Sequence, residues 1–169
     1  MSSFKDAIKS GMTEYLDELK QKLDGLTEAE SRWQASLDSN SIQWLVWHMA
    51  RIEDSWINKI AGGESVWDTG AWAAKTGITD DNSGYGQSAD DVRAMPDVNM
   101  SDLVQYYDSV RSAAFKVIDG TNDEDMDNEF TRGSRSVTWS WILGHVIVEE
   151  SQHLGQVAFV RGLIRGLNK

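Results

Sequence analysis

Apolar residues recur at intervals of three and four along four segments of the chain, which is the spacing of helices that bury one face. Stretches with capping residues, such as LDSNS, precede some of these segments, and glycines follow others. We therefore predict four long amphipathic helices. They run from about Phe4 to Leu23, from Ser41 to Gly62, from Asn99 or Ser101 to Gly120, and from Thr138 to Leu167.

Two longer connections separate the last three predicted helices. The stretch from Gly62 to Val98 is rich in Gly, Asp, Ser and Trp, and we interpret it as a candidate lid that is partly helical, with a short helix over Ser88–Met95. The link from Thr121 to Val137 begins with the acidic run NDEDMDNE and is expected to become extended around Gly133. The acidic run lacks the glycine and the final glutamate of an EF-hand loop, so we interpret it as a solvated turn.

The helical pattern and the length favour one architecture. The chain has 169 residues, which suits a single domain, and its only proline permits long uninterrupted helices. We predict a single all-α domain over residues 1–169, a four-helix bundle with a long connection between helices 2 and 3. Such bundles hold metals and cofactors between side chains on facing helices.

The fourth predicted helix carries polar residues where its apolar stripe should continue. Glu149 and His153 lie in the middle of this stripe, and a carboxylate is costly to bury unless it is paired or holds a metal. His145, Glu149 and His153 also recur every four residues, within roughly 80° of arc. The stripe comprises Ile142, Val146, Glu149, His153, Val157, Val160 and Ile164.

The chain has only three histidines, and two lie on apolar stripes of different helices. His48 is on the stripe of the second helix, where a lone histidine is more often a core residue than a ligand. Together with Glu149 and His153, it completes a set of three metal ligands that leaves positions open for water or substrate. The alternative is a buried Glu–His hydrogen bond between two helices. His145 and Gln156 are candidates for the second shell or a pocket.

Composition narrows the possible partners and the chemistry. The net charge of −11 argues against nucleic acid and against a membrane surface, and we expect a small-molecule substrate. With no cysteine in the chain, sulfur chemistry would need an external thiol. The N-terminal stretch has no apolar core like that of a secretory signal, and no segment is long enough to span a bilayer. We expect a soluble cytoplasmic protein.

We interpret the other charged and aromatic side chains near the motif as surface or core residues. Glu53, Asp54 and Glu150 point away from the stripes in helical phase, and we predict exposed charges for them. Arg51 is predicted to be a surface arginine, and the alternative is that it contacts an anionic substrate. The same two alternatives remain open for Arg132 and Arg135. Large aromatic residues of the second helix are predicted to pack in the core, namely Trp44, Trp47 and Trp56.

Two segments carry a resemblance to a known family. IQWLVWHMARIEDSW, followed by WSWILGHVIVEESQHLGQ, resembles the DinB/YfiT-like superfamily of metalloenzymes, which are four-helix bundles, and is most similar to its mycothiol-dependent maleylpyruvate isomerase branch. The resemblance spans most of the chain: a first helix, a histidine midway along the second, a long connection, a third helix, and a His-x-x-x-(His/Glu)-x-x-x-His pattern on the fourth.

This resemblance implies a metal site and a class of activity. One family ligand comes from the second helix and two from the fourth, which correspond to His48, Glu149 and His153. Members generally bind a divalent ion, often zinc or nickel, and are often dimers, so a homodimer is a possible assembly. Many members have histidine at the position of Glu149, whereas the mycothiol-related branch has a carboxylate there, as this chain does. That branch often has a second histidine at the end of its motif, as the bacillithiol-related members do. This chain has Gln156 at that position.

The leading hypothesis is a metal-dependent transferase or isomerase that uses a low-molecular-weight thiol as cosubstrate. A bound cation would lower the pKa of a coordinated thiol and so produce a nucleophile at neutral pH. Two enzymatic alternatives use the same ligands, namely a metal-dependent hydrolase and, with iron, oxygen chemistry. A non-enzymatic alternative is a small-ligand or stress-response binding bundle with a structural metal.

Overall fold

The computed structural model describes residues 3–132 and 134–166, and of Arg132 only the backbone. The chain forms helices α1 (Phe4–Leu23), α2 (Glu28–Arg32), α3 (Ile42–Ala61), α4 (Val66–Thr69), α5 (Trp72–Thr76), α6 (Ala89–Arg93), α7 (Met100–Gly120) and α8 (Trp139–Arg165). A 3-10 helix over Asp123–Asp127 leads into strands β1 (Glu129–Arg132) and β2 (Arg135–Thr138).

The four predicted helices correspond to α1, α3, α7 and α8, and their ends follow from local capping. The Ser41 hydroxyl accepts a hydrogen bond from the Trp44 N–H at the start of α3, and Thr138 accepts one from Trp141 at the start of α8. Gly62 ends α3 with a φ of 70°, a left-handed conformation that glycine adopts without steric cost. The predicted end of the last helix, Leu167, lies outside the described residues.

The long helices pack around one core. α3 lies against α7 and α8, and α1 lies against α8 and α7, so the order around the bundle is α1, α8, α3, α7. The prediction of an all-α four-helix bundle is confirmed. Apolar side chains from all four helices are fully buried in this core, including Met12, Leu19, Leu45, Met49, Leu103, Ile118, Ile142 and Val146.

The segment over residues 62–98 covers the outer side of α3. It is partly helical, as predicted, and α6 lies within the predicted Ser88–Met95, with Ser88 as its cap. Gly84 lies so close to α3 that a Cβ atom there would be 2.7 Å from Trp44 and 2.9 Å from Trp47. The three tryptophans predicted to pack in the core, Trp44, Trp47 and Trp56, are at most 8% exposed, which confirms that prediction.

The link between α7 and α8 forms an exposed acidic turn and a hairpin. The acidic residues lie in the 3-10 helix, and β1 pairs with β2 in antiparallel register, with Phe130 opposite Val137. The extended stretch predicted around Gly133 is present on both sides of that residue, which itself lies outside the described residues. In the described part of the chain, no helix is long and apolar enough to cross a membrane.

Candidate metal centre

Three side chains from two helices converge on one point between α3 and α8. His48 comes from α3, and Glu149 and His153 come from successive turns of α8, with one potential ligand atom of each within 4.8 Å of the others. Glu149 Oε1 lies 3.6 Å from His48 Nε2 and 3.3 Å from His153 Nε2. His48 is buried, whereas Glu149 and His153 are partly exposed.

The outer nitrogens of both imidazoles are held by acceptors. His48 Nδ1 lies 2.5 Å from the carbonyl oxygen of Ser83, and because a carbonyl only accepts, Nδ1 carries the proton. His153 Nδ1 lies 2.8 Å from Gln156 Oε1. His48 Nε2 therefore presents a lone pair towards Glu149. His153 Nε2 lies within hydrogen-bond distance of Glu149 Oε1, and it becomes a free acceptor when the proton of the ring is on Nδ1, the nitrogen held by Gln156. The indole of Trp44 stacks on the His48 ring at 4.6 Å and fixes its plane.

Burial keeps His48 in the form that binds metals. Desolvation lowers the pKa of His48 below its ordinary value of 6.5, although the hydrogen bond to Ser83 and the negative charge of Glu149 act in the opposite direction. His48 is therefore neutral at neutral pH, with Nε2 available as a ligand. With both imidazoles protonated on Nδ1, three acceptor atoms face one another, an arrangement that a cation between them satisfies.

This donor set fits a divalent ion. Two imidazole nitrogens and one carboxylate oxygen are ligands that zinc and related ions accept, with bonds of about 2.0–2.2 Å. Ligand atoms of such an ion lie roughly 3.3 Å apart in a tetrahedral arrangement, close to the 3.3 Å and 3.6 Å from Glu149 to the two imidazoles. The carbonyl of Ser83 and the amide of Gln156 are the second-shell acceptors that orient ligating histidines in metal sites.

His145 lies outside this group of three and packs against two tryptophans. Its ring stacks on Trp141 at 4.4 Å and meets the edge of Trp56 at 5.5 Å, while the guanidinium of Arg135 lies over Trp141 at 4.5 Å. Partial burial lowers the pKa of His145 below 6.5, so the ring is neutral at neutral pH. Trp56 also forms a wall of a cavity of about 440 Å³, whose lining includes Ser55, Lys59, Asn82, Phe130 and Thr131.

Four predictions of exposed charges are wrong. Glu53 and Glu150 are 0% exposed, Asp54 is 4% exposed and Arg51 is 7% exposed. Arg51 and Asp54 are covered by the segment that follows α3. The Arg51 guanidinium lies 4.7 Å from the Trp67 ring, and the Asp54 carboxylate accepts hydrogen bonds from the first backbone N–H groups of α4. These two residues therefore attach the connecting segment to the bundle.

Glu53 and Glu150 belong to a second polar cluster, which we call the ionic network and which comprises Tyr15, Glu53, Tyr107, Arg111 and Glu150. Arg111 donates to both oxygens of Glu53, through Nε at 2.9 Å and Nη2 at 2.8 Å. Tyr15 donates to Glu53 at 3.0 Å, and Tyr107 donates to Glu150 at 2.8 Å. All four long helices contribute to this network. In the sequence, the feature that could have indicated this network is the spacing of Tyr107 and Arg111, which lie one turn apart on the apolar stripe of α7.

Within the ionic network, the Glu150 carboxyl group has the fewest interactions to offset the cost of its burial. Burial raises its pKa well above the ordinary 4.5. Its Oε2 has no hydrogen-bond partner among the described residues, and the Arg111 Nη2 atom lies 3.8 Å away. The carboxyl group is therefore held in its protonated form at pH values where a solvated glutamate is ionised.

Comparisons with known proteins agree with the fold. The family model described as mycothiol S-transferase matches residues 7–166. A crystal structure of a conserved protein from Enterococcus faecalis superimposes with a TM-score of 0.89 at 18% sequence identity, covering 98% of this chain and 99% of that one, which shows a shared fold. No curated protein sequence matches the chain. The chain belongs to the mycothiol S-transferase family, within the DinB-like superfamily.

Proposed function

We propose that the protein is a metal-dependent thiol S-transferase in which His48, Glu149 and His153 hold a divalent ion, zinc or nickel, and an external low-molecular-weight thiol is the nucleophile. The observation that carries this proposal is the convergence of three acceptor atoms within 4.8 Å, with both imidazole Nδ1 donors turned away. Family membership supports the thiol and the transfer reaction.

Each residue of the centre has a separate task in this proposal. His48 and His153 present Nε2 because Ser83 and Gln156 accept from their other nitrogen. Glu149 supplies the negative charge that balances part of the charge of the ion. A divalent cation bound here would lower the pKa of a coordinated thiol enough to form a thiolate at neutral pH. Because the chain has no cysteine, that thiol comes from a diffusible cosubstrate.

The second substrate is an organic electrophile, and we place it beside His145. This residue is one turn from Glu149 on α8, and its stacking on Trp141 leaves a neutral aromatic surface near the centre. The cavity beside Trp56 has room for a small organic molecule. His145 and Trp56 would then orient the electrophile, while the three ligands position the thiol.

A metal-dependent hydrolase is the second candidate function. The Glu149 and His153 side chains are 24% and 14% exposed, so water can reach the same ligand set. A purely structural site is closed by its protein ligands, and the exposure of these two residues therefore favours either enzyme over a structural metal.

The test begins with elemental analysis of protein purified without added metal. The metal-loaded protein is then incubated with mycothiol, or with another low-molecular-weight thiol, and a panel of electrophiles, and thioether products are measured by mass spectrometry. We expect stoichiometric metal and metal-dependent conjugation, both lost in His153→Ala and retained in the matched control Gln152→Ala. Absence of conjugation across the panel would contradict the transferase proposal. Stoichiometric metal in His153→Ala would contradict the ligand assignment.

A further inference from the structure

Arg51 is buried, yet its guanidinium makes few close contacts with hydrogen-bond acceptors. The residue is 7% exposed, and a guanidinium carries a permanent positive charge and several N–H donors. Nη2 donates to the carbonyl oxygen of Asp81 over a long 3.4 Å, and Nη1 lies 3.9 Å from Asp54 Oδ2, beyond hydrogen-bond distance. Within residues 3–132 and 134–166, Nε has no hydrogen-bond partner. The guanidinium therefore retains donors for a ligand.

Arg111 shows how a buried arginine is paired elsewhere in the same bundle. It is 6% exposed, and it donates to both oxygens of Glu53 through Nε and Nη2. Arg51 also has a carboxylate nearby, but Asp54 already accepts from two backbone N–H groups of α4 and from the Tyr106 hydroxyl. Aromatic rings lie against both guanidiniums, so they do not explain the difference. Arg51 therefore lacks the bidentate carboxylate that Arg111 has.

Arg51 lines a small cavity of about 60 Å³, which we call the inner cavity. Its lining includes Arg51, Ser55, Trp56, Asp81, Asn82 and Ser83. Four of these residues also line the cavity of about 440 Å³ beside Trp56, which we call the outer cavity, so the two cavities adjoin. The carbonyl oxygen of Ser83 lies against His48 Nδ1. One residue of the inner cavity is therefore in contact with the candidate metal centre.

The charge of the two adjoining cavities is opposite to that of the whole chain. The chain has a net charge of −11, whereas the described lining of the two cavities contains two basic residues, Arg51 and Lys59, and one acidic residue, Asp81. Asp81 is exposed, and it meets Arg51 through its backbone oxygen. This region therefore attracts an anion that most of the protein surface repels.

We propose that the inner cavity binds the carboxylate of a small aromatic acid, which accepts hydrogen bonds from Arg51 and Ser55. A volume of about 60 Å³ is roughly twice that of one water molecule in the liquid, so the inner cavity admits a carboxylate and not a ring. The ring then lies in the outer cavity, whose walls include Trp56 and Phe130. The carboxylate gives Arg51 the bidentate partner that Arg111 already has.

The bound acid is also suited to be the electrophile of the proposed transfer. Its ring would lie beside Trp56, which meets the His145 ring at 5.5 Å. When the ring carries a chloromethyl group, the thiolate sulfur attacks the methylene carbon, a carbon–sulfur bond forms, and chloride leaves with the electron pair of the carbon–chlorine bond. The proton of the thiol goes to solvent. This role as electrophile rests on the proposed function, whereas binding of the carboxylate does not.

Calorimetric titration with para-methylbenzoate tests the carboxylate site, both on the protein as purified and after a chelator has removed any metal. We expect a Kd on the order of 100 µM in both preparations. The uncharged para-methylbenzamide has nearly the same shape and should bind at least about tenfold more weakly, because it cannot pair with the guanidinium charge. Equal affinity for the acid and the amide would overturn the proposal. So would binding of the acid that disappears with the metal, since the carboxylate would then be a ligand of the ion.

Substitutions in the inner cavity locate the bound carboxylate. Arg51→Gln should raise the Kd for the acid by about 10–100-fold and leave the Kd for the amide within about threefold of wild type. Ser55→Ala should raise the Kd for the acid by a smaller factor, about 3–10-fold. Arg161→Gln is the matched control, since Arg161 donates to the backbone of α1 and should leave binding unchanged. Circular dichroism checks the fold of each variant, and the acid–amide comparison in the wild type holds even if Arg51→Gln unfolds.

Conjugation kinetics test whether the bound acid is the electrophile. Zinc-loaded protein and mycothiol are supplied with para-(chloromethyl)benzoate or with the corresponding benzamide, which differ little in the reactivity of the chloromethyl group. The KM for the acid should be about tenfold lower than the KM for the amide, and Arg51→Gln should abolish this difference. Equal KM values in the wild type would overturn the assignment of this site to the electrophile. If neither compound reacts although para-methylbenzoate binds, the proposed transferase function fails and the carboxylate site stands.

Discussion

Glu149 and Glu150 are neighbours on α8, yet their carboxylates enter two polar clusters of opposite character. Glu149 faces two imidazole nitrogens, His48 Nε2 and His153 Nε2, at 3.6 Å and 3.3 Å. Glu150 accepts a hydrogen bond from Tyr107 and lies near the guanidinium of Arg111, which pairs with Glu53. The ionic network contains its own cation and donors, whereas the candidate metal centre, with both imidazoles protonated on Nδ1, brings three acceptors together.

This difference shows how a buried polar cluster can be assigned a role. A network that contains its own cation and donors can serve stability and helix register without a ligand. A group of acceptors whose protons are turned outward needs a cation from solution, and that need is a functional signal. Burial alone does not separate the two, since Glu53 and His48 are both buried. The two clusters are distinguished by the numbers of hydrogen-bond donors and acceptors that each contains.

Removal of the cation from the ionic network should have the largest effect on stability. Arg111→Met leaves the fully buried Glu53 carboxylate without its bidentate partner, and the free energy of unfolding should fall by about 3–5 kcal/mol. Urea unfolding with and without zinc measures this loss, which should be the same in both conditions. Arg161→Met is the matched control, expected within about 0.5 kcal/mol of wild type because its guanidinium is partly exposed. If the loss of stability disappears when zinc is present, the ionic network and the candidate metal centre are coupled and are not separate clusters.

The two neighbouring glutamates allow a direct test of the assignment. Glu149→Gln removes the charged ligand, and zinc affinity measured by calorimetry should fall by more than about 100-fold, since loss of an outer-shell partner alone typically costs 10–100-fold. Glu150→Gln changes the same atoms one residue later and should leave zinc affinity within about threefold of wild type. Equal losses in the two variants would contradict the separation of the metal centre from the ionic network.

The sequence allowed prediction of the bundle and of the three converging side chains, because apolar periodicity and capping residues define the long helices. It did not allow prediction of the burial of Arg51 or Asp54, because the segment after α3 covers a face that the pattern marked as polar. Nor did it predict the burial of Glu53, which faces Tyr15 on α1 and Arg111 on α7. Glu150 was missed for a related reason. α8 is apolar on both its inner and outer sides, so a single stripe does not fix its rotation, and a residue off one stripe can face a second neighbouring helix.

A smaller effect on the metal centre is expected from its outer partner. Gln156→Leu removes the oxygen that holds His153 Nδ1 at 2.8 Å, and zinc affinity should fall by about 10–100-fold because the ring loses its preferred tautomer and orientation. Gln152→Leu is the matched control, since Gln152 is an exposed glutamine on the same helix. If both variants bind zinc alike, Gln156 has no role in positioning His153.

The effect that is smallest per pH unit concerns the pH dependence of stability, in which Glu150 and His48 act with opposite sign. Because burial raises the pKa of Glu150 above 4.5, the native state retains a proton that the unfolded state has lost. The stability from this group is complete below the unfolded pKa and is lost as the pH rises towards the folded pKa. His48 acts in the opposite direction, since its lowered pKa makes the native state more stable as the pH rises.

Glu150→Gln removes only the first of these two contributions. The difference in unfolding free energy between variant and wild type should therefore shift in favour of the variant between about pH 5 and 8, by at most about 1.4 kcal/mol per pH unit. Urea unfolding of metal-free protein across this range measures the difference, in which the contribution of His48 cancels. A difference independent of pH would mean that Glu150 is ionised in the native state, and Arg111 would then serve two buried carboxylates rather than one.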